Sequence, residues 1–301
     1  MIPAQEAPIV ALRLAGARRI LAYVDLAKPR VVGMIVVTTL VGFYLGSHGP
    51  TSVWLLVHTL ASTTLAASGT LALNQYLERD LDAMMLRTRS RPLPAGRLAP
   101  REALVFGTLV TAAGIVYQTF AVGAVPALVT AATTVSYLFF YTPMKRWTPF
   151  CSPVGAVPGA LPPVTGWAAA AGRLDVGAWV LFAILFLWQL PHSLAIARMY
   201  RDDYARAGIR LLPVIDPDGG STGRQIVMTS LALLSVALLP TVVGLSGALY
   251  FYTALVLGLM LLAFSIELAR TRALADARRL LVASLVYLPT LLALMAFDKI
   301  G

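Results

Sequence analysis

Long apolar runs alternate with short polar stretches along the 301-residue chain. A helix that crosses a bilayer needs about 20 mainly apolar residues. On that ruler nine segments qualify, at 31–46, 53–77, 103–120, 125–140, 154–171, 176–197, 226–243, 249–268 and 280–297. The pattern predicts an all-α, multi-pass membrane protein organised as a single domain over residues 1–301. Residues 1–30 have no basic stretch ahead of an apolar run, so they do not read as a cleavable signal; they read as a cytoplasmic or interfacial lead-in.

Composition agrees with this picture. Hydrophobic residues make up 58% of the chain and charged residues 13%, about half the charge of a soluble domain and too little to clothe a water-facing surface. The net charge of +10 would suit nucleic acid only if it gathered on a soluble face or arm. Here the residues between the charges are hydrocarbon-like, and no nucleic-acid partner is expected. One cysteine and three histidines exclude a disulfide framework and a Cys/His zinc site.

The basic residues instead report sidedness. An odd number of spans puts the termini on opposite sides, and with the N-terminus inside, 22 of the 24 basic residues fall on inner segments, leaving Arg173 and Lys299 outside. The positive-inside rule therefore predicts a cytoplasmic N-terminus in an inner (cytoplasmic) membrane. The outer connections are short, whereas those after the second and sixth spans are long and hold seven of the 14 acids: Glu78, Asp80, Asp82, Asp202, Asp203, Asp216 and Asp218. Loops that only join helices have no use for clustered carboxylates, so the working site is expected at the cytoplasmic mouth, between these two connections.

If the second span stays helical past its apolar part, Asn74, Glu78 and Asp82 share one face at four-residue spacing. Asp80 then points elsewhere, as a cap or ion-pair partner. Three oxygen-bearing side chains suit a hard cation, and Mg²⁺ usually takes one or two carboxylates while leaving other positions to water and phosphate. Arg87, Arg89 and Arg91 follow within a few residues, and arginine forks bind phosphate oxygens. A metal-bound polyanion, most simply a diphosphate, is the ligand such a group would take. The competing reading is a self-paired juxtamembrane helix anchored to acidic lipid headgroups.

The run Asn74, Glu78, Leu81, Asp82, Met85, Arg87, Thr88, Arg91, Gly96 resembles the signature of the UbiA superfamily of intramembrane prenyltransferases. The resemblance implies a nine-helix bundle around a lipid-open cavity, with a polyprenyl diphosphate held through Mg²⁺ at the cytoplasmic cap. Asn74, Glu78 and Asp82 match the family's N-x-x-x-D-x-x-x-D metal motif, with Glu in place of the middle Asp. Tyr141 and Lys145 resemble its Y-x-x-x-K/R element, in which the basic residue assists diphosphate binding.

Two later stretches narrow the branch. The Gly/Pro-rich run from Gly155 to Ala169 is explained equally by a wide cavity and by close packing. Trp188-Gln189-Leu190-Pro191-His192 closes the sixth span, and Arg201-Asp202-Asp203-Tyr204 follows. Together they resemble the superfamily branch that farnesylates protohaem IX. That implies farnesyl diphosphate and haem b as substrates, membrane lipid as surroundings and a haem A synthase as a candidate acceptor of the product. It also implies Arg87, Arg91, Lys145, Arg146 and Arg201 on the diphosphate, and His192, Tyr200 and Tyr204 on the haem. His192 reads alternatively as a hydrogen-bonded structural residue. Tyr200 and Tyr204 stand where many members carry a second D-x-x-x-D motif, so Asp202 and Asp203 are candidates for a second metal or for a polar network. The alternatives left open are prenylation of an aromatic or quinone precursor and, in another class, transport.

Overall fold

The computed structural model describes residues 7–50 and 52–300, with side chains from residue 16 onward except those of 17 and 51. In chain order the helices are α1 (Ala7–Ala27), α2 (Pro29–Gly46), α3 (Val53–Met84), α4 (Pro100–Ala121), α5 (Ala124–Met144) and α6 (Cys151–Ala171). Then come α7 (Val176–Met199), the short α8 (Arg201–Arg206) and α9 (Leu212–Ile215), α10 (Gly220–Val242, with a turn at 237–238), α11 (Ala248–Thr271) and α12 (Leu274–Phe297). The chain is all-α, as lipid demands of a backbone that must satisfy its own hydrogen bonds. Among the described residues the only β pairing is an isolated bridge between Ser246 and Lys299.

Among the described residues eight helices are long and apolar enough to cross a membrane, against nine expected. The difference is α6. Its 21 residues reach about 31 Å at 1.5 Å per residue, but its glycines and prolines lower its apolarity. α1 is a helix that the span pattern did not reveal. Ala22 and Leu26 pack on Ala72 of α3 and on Leu93, Leu98 and Ala103, while Ile20, Leu21 and Val24 face outward.

α6 sits centrally, against α2, α5 and α7. The approach of α2 is close enough that a β-carbon on Gly166 would overlap the Thr39 carbonyl oxygen and lie 2.7 Å from Phe43 N. Small residues permit such contact between membrane helices. On its other side α7 packs on α10 and α12, burying Leu181, Ile184 and Leu194 with Trp167, Tyr250 and Tyr287 in one apolar core. Large apolar side chains also point outward, Phe120 at 86%, Phe297 at 81% and Val242 at 75% exposed. A lipid surround makes that exposure inexpensive.

Candidate active site

α3 runs unbroken for 32 residues, and this length carries its C-terminal end beyond the apolar part into the mouth of the bundle. Its four-residue stripe is buried there, Asn74 at 1%, Glu78 at 8% and Asp82 at 1% exposed. Asp80 points away, its side chain 83% exposed and 3.6 Å from Arg79, the ion-pair role expected of it.

Each stripe residue meets a cation. Lys145 Nζ donates to Glu78 Oε1 at 2.6 Å, Arg91 NH1 to Asp82 Oδ2 at 2.6 Å, and Lys28 Nζ to Asn74 Oδ1 at 3.0 Å. With Arg87, Tyr137, Tyr141 and Tyr204 these groups line a cavity of about 180 Å³. Four cations against two carboxylates leave it electropositive.

Local structure explains each position. Residues 85–99 fold into tight turns, with Gly96 at φ +68°, so the chain doubles back and returns Arg91 to Asp82. Thr88 Oγ1 donates to Asp82 O at 2.9 Å, fixing the first of these turns. Lys28 occupies the break between α1 and α2 at φ 53°, followed by Pro29 at the start of α2, where proline's fixed φ is helix-ready. Gln75 Nε2 donates to the last carbonyls of α1, Asp25 O at 3.2 Å and Leu26 O at 2.8 Å, and so holds the break against α3. Burial pushes the Lys28 ammonium down to about 7, and the nearby Arg91 adds to the shift. Burial also opposes the charge of Lys145, but the Glu78 carboxylate outweighs it and raises its pKa well above the ordinary lysine value.

The last turns of α5 are a π-helix over Ser136–Tyr141, a form that recurs at functional sites. Thr142 Oγ1 donates to Tyr137 O at 2.8 Å and accepts from Asn74 Nδ2 at 3.2 Å. With its amide nitrogen bound there, Asn74 turns Oδ1 into the cavity. Tyr137 and Tyr141, with ring centroids 5.4 Å apart, also line a second, largely apolar cavity of about 270 Å³ that extends between α2, α3, α5 and α6. Gly155 lies in this wall, where a β-carbon would strike the Tyr141 ring. The run from Gly155 to Ala169 thus serves both readings given to it, cavity at its start and close packing at Gly166.

The donor set fits a hard cation. Among the described residues Asp82 Oδ1 is buried without a hydrogen-bond partner, and Asn74 Oδ1 and the Glu78 carboxylate line the same space. Among the described residues no group of three His, Cys, Asp or Glu side chains gathers; the set is two carboxylates and one amide oxygen.

The loop after α7 reaches the site through Tyr200, Tyr204 and Asp203, three of the residues singled out on it, and each of them meets Arg87. Arg87 lies over the Tyr200 ring at 5.2 Å and donates to Tyr204 Oη at 3.4 Å, and its backbone N–H donates to Asp203 Oδ2 at 3.4 Å. Asp203 is otherwise paired with Arg206. Asp202 is exposed and does not join the stripe. Arg210 N donates to Lys145 O at 2.8 Å, tying this loop to the one after α5. Arg146 and Arg201 do not line the charged cavity. His192 stacks on Trp188 and bonds Ser284 Oγ of α12 at 2.8 Å, and it lines neither cavity. Lys28 and Tyr137, by contrast, enter the site without having been singled out. Pro29 signals the break at Lys28, but the inward place of the lysine depends on Gln75 of α3 holding the end of α1.

A family model described as the UbiA prenyltransferase family matches residues 35–288. The chain is 49% identical to a protohaem IX farnesyltransferase of Solibacter usitatus, over 93% of this chain and 99% of that one. It is 37% identical to another so named from Aquifex aeolicus, over 95% and 98%. Among solved structures, a digeranylgeranylglyceryl phosphate synthase superposes with TM-score 0.77 at 14% identity, covering 94% of this chain and 99% of that one. A UbiA homolog from Archaeoglobus fulgidus bound to GPP and Mg²⁺ superposes with TM-score 0.65 at 15% identity, covering 91% and 99%.

Proposed function

The chain belongs to the UbiA prenyltransferase family, and on that premise we propose that it is the enzyme that farnesylates protohaem IX. It is an integral membrane prenyltransferase. The reaction proposed joins C1 of farnesyl diphosphate to a vinyl group of haem b, adds water and releases diphosphate, giving haem O. The observation that carries this reading is the meeting of the two cavities at Tyr137 and Tyr141, a basic chamber beside an apolar one, as a diphosphate with a prenyl tail requires. The relatives named protohaem IX farnesyltransferase support the choice of acceptor.

Asn74, Glu78 and Asp82 would hold Mg²⁺, which when bound supplies positive charge against the departing diphosphate. Lys28, Arg87, Arg91 and Lys145 exchange their resting partners for phosphate oxygens, and these charge-assisted bonds strengthen as the leaving group gains charge. The apolar chamber keeps bulk water from the allylic carbon. Residues 1–301 act as one domain, with α6 as a ninth crossing, the N-terminus cytoplasmic and the site at the cytoplasmic side of the inner membrane. A haem A synthase is a fitting acceptor of the product, since haem O remains in the lipid.

The test is mass spectrometry of haem products from purified protein given farnesyl diphosphate, Mg²⁺ and haem b. Haem O together with free diphosphate is expected. Diphosphate release only with an aromatic or quinone acceptor would replace haem as the substrate, and no release with any acceptor would overturn the enzyme assignment.

A further inference from the structure

Adding water to a cation inside a chamber that excludes water poses a placement problem, and Gln189 of α7 offers a solution. Its side chain lines the apolar cavity. Nε2 donates to Leu185 O at 3.0 Å and to Ala156 O at 3.4 Å. Both partners are carbonyls and accept only, so the amide orientation is fixed with Oε1 on the other side. Oε1 has no hydrogen-bond partner among the described residues, and it rests over Gly159, where any β-carbon would collide with it. Three of the wall's threonines behave differently: Thr133 Oγ1 donates to Val129 O at 2.8 Å, Thr70 Oγ1 to Ala66 O at 2.7 Å, and Thr70 and Thr134 pair at 3.0 Å. These hydroxyls have protein partners, whereas Gln189 Oε1 has none among the described residues.

Position along α6 gives the scale. Gly155 backs the Tyr141 ring and Gly159 backs Gln189 Oε1, so the amide oxygen lies one helical turn, about 6 Å at 1.5 Å per residue, deeper than the tyrosine that borders the charged chamber. From the leaving oxygen through C1 and the terminal vinyl carbon to the inner vinyl carbon is three bonds of about 1.5 Å each. An attacking water stands about 3 Å beyond. The leaving oxygen lies in the charged chamber, so a water up to about 7.5 Å from it falls beyond the tyrosine border, on the side of Gln189 Oε1.

We propose that Gln189 Oε1 is a positioning group for the water consumed in the reaction, an inference that rests on the haem-farnesylating reading. The vinyl π pair forms the bond to C1 as the C1–O pair departs with diphosphate. Water, donating one hydrogen bond to Oε1, then directs a lone pair at the electron-deficient inner carbon, and the proton it sheds goes to the diphosphate. Without a held water that carbon is quenched by loss of a proton from the newly formed CH₂ to the diphosphate, giving an alkenyl product lighter by one water.

The experiment is product analysis by mass spectrometry with the full-length protein, farnesyl diphosphate, Mg²⁺, haem b and isotopically labelled water. Wild type yields haem O carrying the label. Gln189→Leu raises the ratio of alkenyl product to haem O by about tenfold, the worth of one hydrogen bond, and Gln189→Glu, whose protonated carboxyl donates to one of the two carbonyls and keeps the other oxygen as acceptor, brings the ratio back toward that of wild type. Gly159→Ala, which displaces the amide oxygen while leaving Gln189 in the chain, gives the same shift and decides the matter if the leucine variant does not fold. An unchanged product ratio in both, at whatever rate, overturns the proposal, as does a weaker haem KM alone. If wild type itself forms neither product, the haem reading fails and this inference falls with it.

Discussion

Replacing Lys145 by Met separates what the charged chamber does for the fold from what it does for the substrate. Lys145 Nζ and Glu78 Oε1 are 2.6 Å apart, their side chains 14% and 10% exposed, and the ammonium also lies 4.2 Å from the Tyr141 ring centroid. Removing the cation leaves a buried carboxylate without its partner, which costs about 3–5 kcal/mol. Removing both charges, as in Lys145→Met with Glu78→Gln, leaves no such orphan and recovers at least about 2 kcal/mol of that loss through the coupling of neighbouring groups. Activity follows another course. A charged hydrogen bond to the diphosphate contributes about 1.5–3 kcal/mol, so KM for farnesyl diphosphate rises roughly 10- to 100-fold at about 1.4 kcal/mol per decade, and the double variant does not restore it. Chemical denaturation in detergent gives the stabilities, and steady-state kinetics give KM. A single variant as stable as the double would show that the two charges do not depend on each other, and an unchanged KM would remove Lys145 from the substrate.

Asp82→Ala should abolish haem O formation while the protein still inserts and folds, and chelation of Mg²⁺ should stop wild-type turnover until the metal is returned; haem O from the alanine variant would refute the metal assignment. Gly166→Val drives a side chain into the Thr39 carbonyl and should lower stability by about 1–3 kcal/mol, the range for overpacking, as read by thermal unfolding. His192→Gln gives up the Ser284 contact and should cost about 1 kcal/mol while leaving haem O formation intact; loss of bound-haem absorbance with folding preserved would instead put the imidazole on the haem.

What could be read from the chain was whatever depended on spacing within one helix. Asn74, Glu78 and Asp82 share a face because four residues nearly complete a helical turn, so local sequence suffices. Lys28 is different, because its place depends on Gln75 capping α1 from another helix. The short range of sequence patterns does not reach that far. α1 escaped the span ruler because Arg13, Arg18 and Arg19 interrupt its apolar residues. The π-helix escaped because an aromatic run such as Tyr137 to Tyr141 fits an α-helix equally well. His192 shows the converse: the histidine was visible, but the direction of its ring is decided by Ser284, 92 residues away.

Under the proposed reading the tyrosine pair Tyr137 and Tyr141 separates two solvents as well as two chambers. Under the proposed chemistry the bond that breaks lies across it, so the products are sorted by phase. Diphosphate departs toward water, and the alkylated macrocycle stays dissolved in lipid. Reversal would need both to meet again at a junction that neither medium favours. The forward direction then draws on partition between the two phases as well as on the strength of the bonds exchanged.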